Sequence, residues 1–278
     1  PPSMSMNSFH ARQGGRPRAE KPARIAVDRG SVMRADALLV RRGLASSRTQ
    51  AQRLIDAGRV FADGSLVGKP AVELPLDIPL TVTADDSDRY VSRGGLKLAG
   101  ALAHTRLDVC GKTCLDVGQS AGGFSDCLLQ AGATHVVGVD VGHGQLHAKL
   151  RGEPRVTALE GINCRTLCAA DLGDAQPSGG FDLIVGDVSF ISMTLILPQL
   201  PALLAGNGCL LLLVKPQFEV GPGRIGKGGI VRDPALYREV ERRFREIARN
   251  CGLTVADWLD SPITGGDGNR EFFIWLKP

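Results

Sequence analysis

Two side chains in this sequence stand where buried strands run out and chemistry can begin. The apolar run from Leu210 to Val214 stops at Lys215-Pro216-Gln217-Phe218-Glu219, and the run near 183–185 stops at Gly186-Asp187-Val188-Ser189-Phe190. A lysine at the mouth of a buried strand, next to an acid on the neighbouring strand, is poorly explained by solubility. An ammonium and a carboxylate there can bind, orient or move a proton. A structural ion pair is the plainer alternative. In sheets covered by helices, ligands sit beyond the carboxyl ends of the strands, so Asp187 is expected near any cofactor.

The cofactor is suggested by LDVGQSAGGFSDCLLQAGATHVVGVD, Leu115 to Asp140. It reads as a strand, a glycine turn, a helix over 124–131 and a second strand ending in an acid. Gly118, Gly122 and Gly123 let the backbone turn tightly and approach a ligand, with Ser120 and Phe124 beside them. Asp140, followed by Val141, sits where an acid accepts hydrogen bonds from ribose hydroxyls. The spacing departs from the dinucleotide fingerprint, and Asp116 just before the turn is unwelcome beside a diphosphate. It suits a cationic ligand. S-adenosylmethionine has an ammonium and a sulfonium and no phosphate, so it is the expected donor. Glu160 and Asn163, after a third strand, are further adenosine contacts or a surface turn. Gln119 and Ala121 have no evident reason.

These residues need a frame to hold them. Strands are expected at 113–117, 135–139, 156–159, 183–185, 209–214, 253–256 and 272–276, with helices at 192–204 and after Asp233, which caps a helix with Pro234 in its first turn. Alternating strands and helices imply an α/β fold with a doubly wound, Rossmann-like sheet. Arg93-Gly94-Gly95 reads as a flexible basic joint ahead of a helix over 96–103.

The front of the chain differs. Residues 1–70 hold 13 Lys and Arg against 5 Asp and Glu, whereas the remainder is net acidic. That end is the polyanion-facing part. Residues 1–32 have the composition of a disordered basic tail. Two short helices follow, over 34–42 and 48–57, then a hairpin turning at Asp63-Gly64 and a strand over 78–82. Arg41, Arg42, Arg48, Arg53 and Arg59 lie on or beside the helices. A solvated charged face is the simpler reading of such a run.

Composition sets outer bounds. A chain of 278 residues with 43% hydrophobic and 22% charged residues is that of a globular protein with a full α/β domain and a smaller companion. No apolar run approaches the length needed to cross a bilayer, so the expected location is cytoplasmic, without stable membrane association. The seven cysteines read as reduced core or near-core thiols. His135, His143 and His147 lack a ligand set, so no metal is expected.

The segment ADALLVRRGLASSRTQAQRLIDAGRVFADG, Ala35 to Gly64, resembles the RNA-binding domain named after the small-subunit ribosomal protein S-four, whose helical arginines grip structured RNA. Lys97, Asp187, Lys215 and Glu271, in that order, look like the Lys-Asp-Lys-Glu tetrad of FtsJ-type ribose 2′-O-methyltransferases. With SRGGLKL, DVGQSAGGF, DVSFIS, VKPQFE, KGGIVRD and SPITGGDGNREFF, the chain from about residue 33 to 278 resembles the TlyA family, named as haemolysins but acting as ribosomal RNA 2′-O-methyltransferases.

The resemblance implies a tail (1–32), an S-four-like domain (33–88), a linker (89–96) and a class I methyltransferase domain (97–278). It implies methyl transfer to a ribose 2′-hydroxyl, a cytidine's being expected, in folded ribosomal subunits by a monomer. Lys215 would be the base, Asp187 and Glu271 would orient the lysines, and Lys97 would position the ribose or its oxyanion. The two prolines that base-amino methyltransferases carry after this aspartate are missing, which favours ribose. Arg93, Arg224 and Lys227 would add RNA contacts, the latter two on a glycine-rich flap over 220–231. A non-catalytic assembly factor and a membrane-lytic protein are the competing readings.

Overall fold

The computed structural model describes residues 32–85 and 88–278, with the backbone alone at Pro222. The expectation for residues 1–31 lies outside the described residues. The described residues divide into two compact units, one ending at Ala84 and the other beginning at Asp85.

The first unit runs β1 (Val32–Arg34), α1 (Ala35–Arg41), α2 (Arg48–Asp56), β2 (Val60–Ala62), β3 (Ser65–Leu66), β4 (Glu73–Pro75) and β5 (Leu80–Val82). Ser47 caps α2, its side chain accepting from the Gln50 amide. Asp63 and Gly64, at φ 46° and 75°, make the hairpin turn between β2 and β3. The pairing of β1 with β4 was not expected. Leu38, Leu39, Ala51, Ile55 and Val60 form the core. Asp36 is fully buried and accepts from Arg34, Arg48 and Gln52 at 3.0–3.1 Å. The Arg34 hydrogen bond, with those of Gln52 and Arg48, holds its carboxyl well below the usual range against the cost of burial.

The second unit runs α3 (Arg93–Thr105), β6 (Thr113–Val117), α4 (Gly123–Gln130), β7 (His135–Asp140), α5 (Ala148–Arg151), β8 (Val156–Glu160), α6 (Ala169–Leu172), β9 (Phe181–Gly186), β10 (Leu204–Val214), α7 (Pro234–Asn250), β11 (Thr254–Asp260) and β12 (Phe272–Lys277). Seven strands form one sheet in the order β11-β12-β10-β9-β6-β7-β8, and β12 runs antiparallel to both its neighbours. Alternate strand residues supply two cores, one per face. Leu115, Ile184, Leu210 and Leu212 share one core with Leu236, Val240 and Phe244 of α7, while Leu183, Val185, Leu211 and Leu213 share the other with Leu98 of α3 and Leu128 of α4.

Two expectations are corrected. Residues 192–204 form no α-helix but 3-10 turns at Met193–Leu195 and Leu197–Leu203, because Pro198 and Pro201 lack the amide hydrogens a helix interior needs. The Arg93-Gly94-Gly95 segment is no flexible joint. α3 starts at Arg93, and a Cβ on Gly95 would meet Tyr90 at 2.3 Å, as one on Gly123 would meet Ser92 Oγ at 2.1 Å. Those glycines let the starts of α3 and α4 approach closely.

Candidate active site

After β6 the chain builds β7 and β8 on one side, then returns to place β9 on the other. That reversal opens a crevice at the carboxyl ends of β6 and β9, where Val117 pairs with Gly186. A cavity of about 550 Å³ lies there, with Gly118, Ser120, Asp140, Val141, Asn163 and Asp187 among its walls. Gly118 adopts φ 84°, and a Cβ on it would meet the Asp187 carbonyl oxygen at 2.7 Å, so only glycine fits. Asp140 accepts from the Ser120 amide at 2.8 Å and the Gly142 amide at 2.7 Å, one on each oxygen. Each oxygen keeps a lone pair for a ribose hydroxyl.

Val141, Val188, Ile191 and Ile196 make apolar walls suited to a purine. The lining holds two aspartates and no lysine, arginine or histidine. A diphosphate would find no counter-charge, whereas a sulfonium and an ammonium would. The residues present therefore fit S-adenosylmethionine.

A smaller adjoining recess of about 170 Å³ is lined by Ser92, Gly94, the turn 118–121, Gly123, Phe124, Asp187, Ser189 and Lys215. Lys215 Nζ lies 2.6 Å from Asp187 Oδ1, an ion pair without hydrogen-bond directionality, and donates to Ser189 Oγ at 2.8 Å. The last β10–β12 rung is Val214 with Phe272, so Lys215 leaves β10 where Glu271 enters β12. Glu271 accepts from Lys97 Nζ of α3 at 2.6 Å, with both side chains buried. The four residues form two lysine–carboxylate pairs, and only Asp187 and Lys215 line the recess.

Asp116 does not line the cavity. It is buried, accepting from Ser125 Oγ at 2.7 Å, and Ser125 accepts from Gln119 Nε2 at 2.8 Å. That chain explains Gln119, whose side chain also fills the space over Gly138, where a Cβ would meet it at 2.0 Å. Burial pushes the Asp116 carboxyl up to about 7 against the Ser125 hydrogen bond, the nearby Asp187 and Asp140 charges adding to the rise. With the folded value raised, the native state holds a proton that the unfolded chain releases above about 4, its ordinary value. The stability that Asp116 contributes is therefore fully present below that value and is lost as pH rises towards 7, by up to about 1.4 kcal/mol per pH step. Urea unfolding at pH 5 and pH 8 should show this decline, and Asp116→Asn should flatten it.

Gly122, at φ 88°, packs under Leu150. Glu160 is exposed, accepts from the Gly144 amide and stands off the cavity. Among the arginines expected to contact RNA, Arg41 and Arg53 are exposed and unpaired among the described residues. Others hold partners at the surface: Arg42 donates to the Leu76 and Ile78 carbonyls, Arg48 pairs with Asp36, and Arg59 donates to the Thr83 carbonyl. Arg93 donates to the Thr264 carbonyl, and Arg224 pairs with Glu239. Lys227 is exposed, but its loop is held where buried Asn269 bonds Gly229 and Val231. Cys110 and Cys168 are exposed rather than near-core, because neither falls on the inner face of a strand or helix. Among the described residues no cluster could hold a metal.

Two residues went unread in the sequence. Phe190, 91% exposed at φ 65°, stands on the cavity wall with its ring 5.4 Å from that of Phe218. Buried Glu219 accepts from Ser192 Oγ at 2.5 Å and the Met193 amide at 2.9 Å, and pairs with Arg243 of α7 at 3.3 Å. It ties the loop after β9 to the exit of β10, and burial pushes its carboxyl up against those hydrogen bonds. Its place in VKPQFE was the only signal.

This sheet order, with a phosphate-free cofactor crevice at its switch point, defines a class I, S-adenosylmethionine-dependent methyltransferase. The FtsJ-like methyltransferase family model matches residues 90–278, and the S4 domain model matches 33–76. The chain is 46% identical over 244 residues to the 16S/23S rRNA (cytidine-2′-O)-methyltransferase TlyA of Mycobacterium tuberculosis, covering 88% of this chain and 89% of that one. It is 45% identical to YqxC of Bacillus subtilis, over 87% and 85% of the two chains. A solved structure of a hemolysin-named protein from Streptococcus thermophilus superposes with a TM-score of 0.68, at 40% identity and 88% coverage of each chain. The chain belongs to the TlyA family of FtsJ-like methyltransferases.

Proposed function

We propose that the protein transfers the methyl group of S-adenosylmethionine to the ribose 2′-hydroxyl of a cytidine in ribosomal RNA, acting as a cytoplasmic monomer on folded subunits. The observation that carries this reading is the Lys215–Asp187 pair at the recess beside the donor cavity. When bound, S-adenosylmethionine supplies an electrophilic methyl group on a sulfonium. The 2′-oxygen must lie in line with it and lose its proton as the bond forms. In its neutral amine form Lys215 Nζ accepts that proton and becomes the ammonium that pairs with Asp187, while Asp187 and Ser189 fix its position. Lys97, held by Glu271, adds a second positive charge that orients the ribose or its oxyanion. Arg41, Arg53 and Lys227 offer free charges to RNA phosphates. The M. tuberculosis relative's name carries the same acceptor chemistry.

The hemolysin name of the solved relative suggests a second reading, membrane lysis. Among the described residues no helix is long and apolar enough to cross a membrane. Mapping 2′-O-methyl groups on ribosomal subunits, with and without purified protein and donor, tests the proposal. A new 2′-O-methylcytidine is expected, and a methyl group on a base, or none, overturns the reading.

A further inference from the structure

The outer face of α7 carries charge that neither the site nor the fold uses. Arg238, Arg242, Arg245 and Arg249 recur at spacings of four, three and four, which aligns them in one stripe opposite buried Leu236, Val240, Phe244 and Ala248. All four are exposed. Arg245 pairs with Glu241 at 2.8 Å, whereas Arg238, Arg242 and Arg249 make no hydrogen bond or ion pair among the described residues, the Arg242 charge acting on Glu239 only at longer range. The helix's acids lie off the stripe: Glu241 and Glu239 are taken by Arg245 and Arg224, and exposed Glu246 flanks it.

The stripe also has a direction. α7 connects β10 to β11, which run parallel to each other, so it starts at the carboxyl end of the sheet, where Lys215 and Glu271 lie. There Arg238 shares a cleft of about 260 Å³ with Arg270, the residue before Glu271, which is itself paired with Asp260 at 2.7 Å. From Arg238 the stripe leads some 16 Å away along the helix, at about 1.5 Å per residue.

We propose that this stripe is a phosphate-binding face for folded RNA, which guides the strand bearing the acceptor ribose to the mouth of the site. The inference rests on the RNA-methyltransferase reading above. An anionic lipid surface would meet the same charges, but none of the exposed large apolar side chains lies on α7, so the helix has nothing to insert into a bilayer.

The test is the full chain carrying Arg238→Gln, Arg242→Gln and Arg249→Gln, titrated with purified ribosomal subunits across a salt series. The expected result is weaker binding and a shallower fall of log K with log salt, by about 2–3 in slope for three lost phosphate contacts. Donor affinity and kcat at saturating subunits stay unchanged, so the effect falls on KM. An unchanged slope overturns the stripe alone. So does a loss confined to phosphatidylglycerol vesicles with subunit binding intact. If the unaltered protein binds no subunits, both this inference and the functional reading fall.

Discussion

Replacing Lys215 with alanine is expected to lower the rate of methyl transfer to ribosomal subunits about 10²- to 10⁴-fold, the usual contribution of a proton acceptor, while donor binding persists. The split follows from placement. Lys215 lines the recess beside the donor cavity but not the cavity itself, so its loss leaves the Asp140 contacts and the apolar walls intact. Single-turnover methylation measures the first effect and calorimetry with S-adenosylmethionine the second. Lys215→Arg separates proton transfer from positioning, because a guanidinium sits charged beside Asp187 yet has no neutral form in proteins with which to accept a proton. The arginine variant is expected to stay as slow as the alanine variant. Full recovery by arginine would show that Lys215 only positions the hydroxyl.

Breaking the buried pair costs the fold as well as the reaction. Lys97→Met leaves Glu271, whose side chain is 2% exposed, without its cation. An uncompensated buried charge destabilises by about 3–5 kcal/mol. At roughly 2–4 °C per kcal/mol for a unit of this size, Tm falls by about 10 °C. Combining Lys97→Met with Glu271→Leu removes both charges and should recover most of that stability, because apolar residues of similar volume replace buried pairs without penalty. Methylation should remain absent in the double variant. Both tryptophans, Trp258 and Trp275, lie in the second unit, so their fluorescence during urea unfolding reports on it alone. Equal instability of the single and double variants would contradict a buried ion pair.

Local chemistry made part of this molecule legible in its sequence. The glycine turn, the acid closing β7, the residues at the strand mouths, the α2 cap and the Asp63-Gly64 hairpin depend on neighbours within a few positions. What was hidden depends on distant partners. Gly95 looked like part of a joint because its spacing does not show that Tyr90 packs over it, nor that Ser92 packs over distant Gly123. Gln119 had no reason until the fold placed it between Gly138 and Ser125. Arg42 and Arg48 read as RNA ligands, and only the folded unit shows that backbone carbonyls and Asp36 also hold these exposed side chains. Pro198 and Pro201 stand inside the helix expected over 192–204, and their missing amide hydrogens leave 3-10 turns there.

The position of β12 has a consequence for how the molecule assembles. The donor crevice is drawn from a nearly continuous stretch, residues 118–196. The pair joining Lys97 to Glu271 spans 174 positions, and β12 must settle between β10 and β11 before β11 has an edge to join. Contacts so far apart in the chain form late, since loop closure precedes any reward. The donor crevice is therefore expected to form before the Lys97–Glu271 pair, which waits for the last strand to dock.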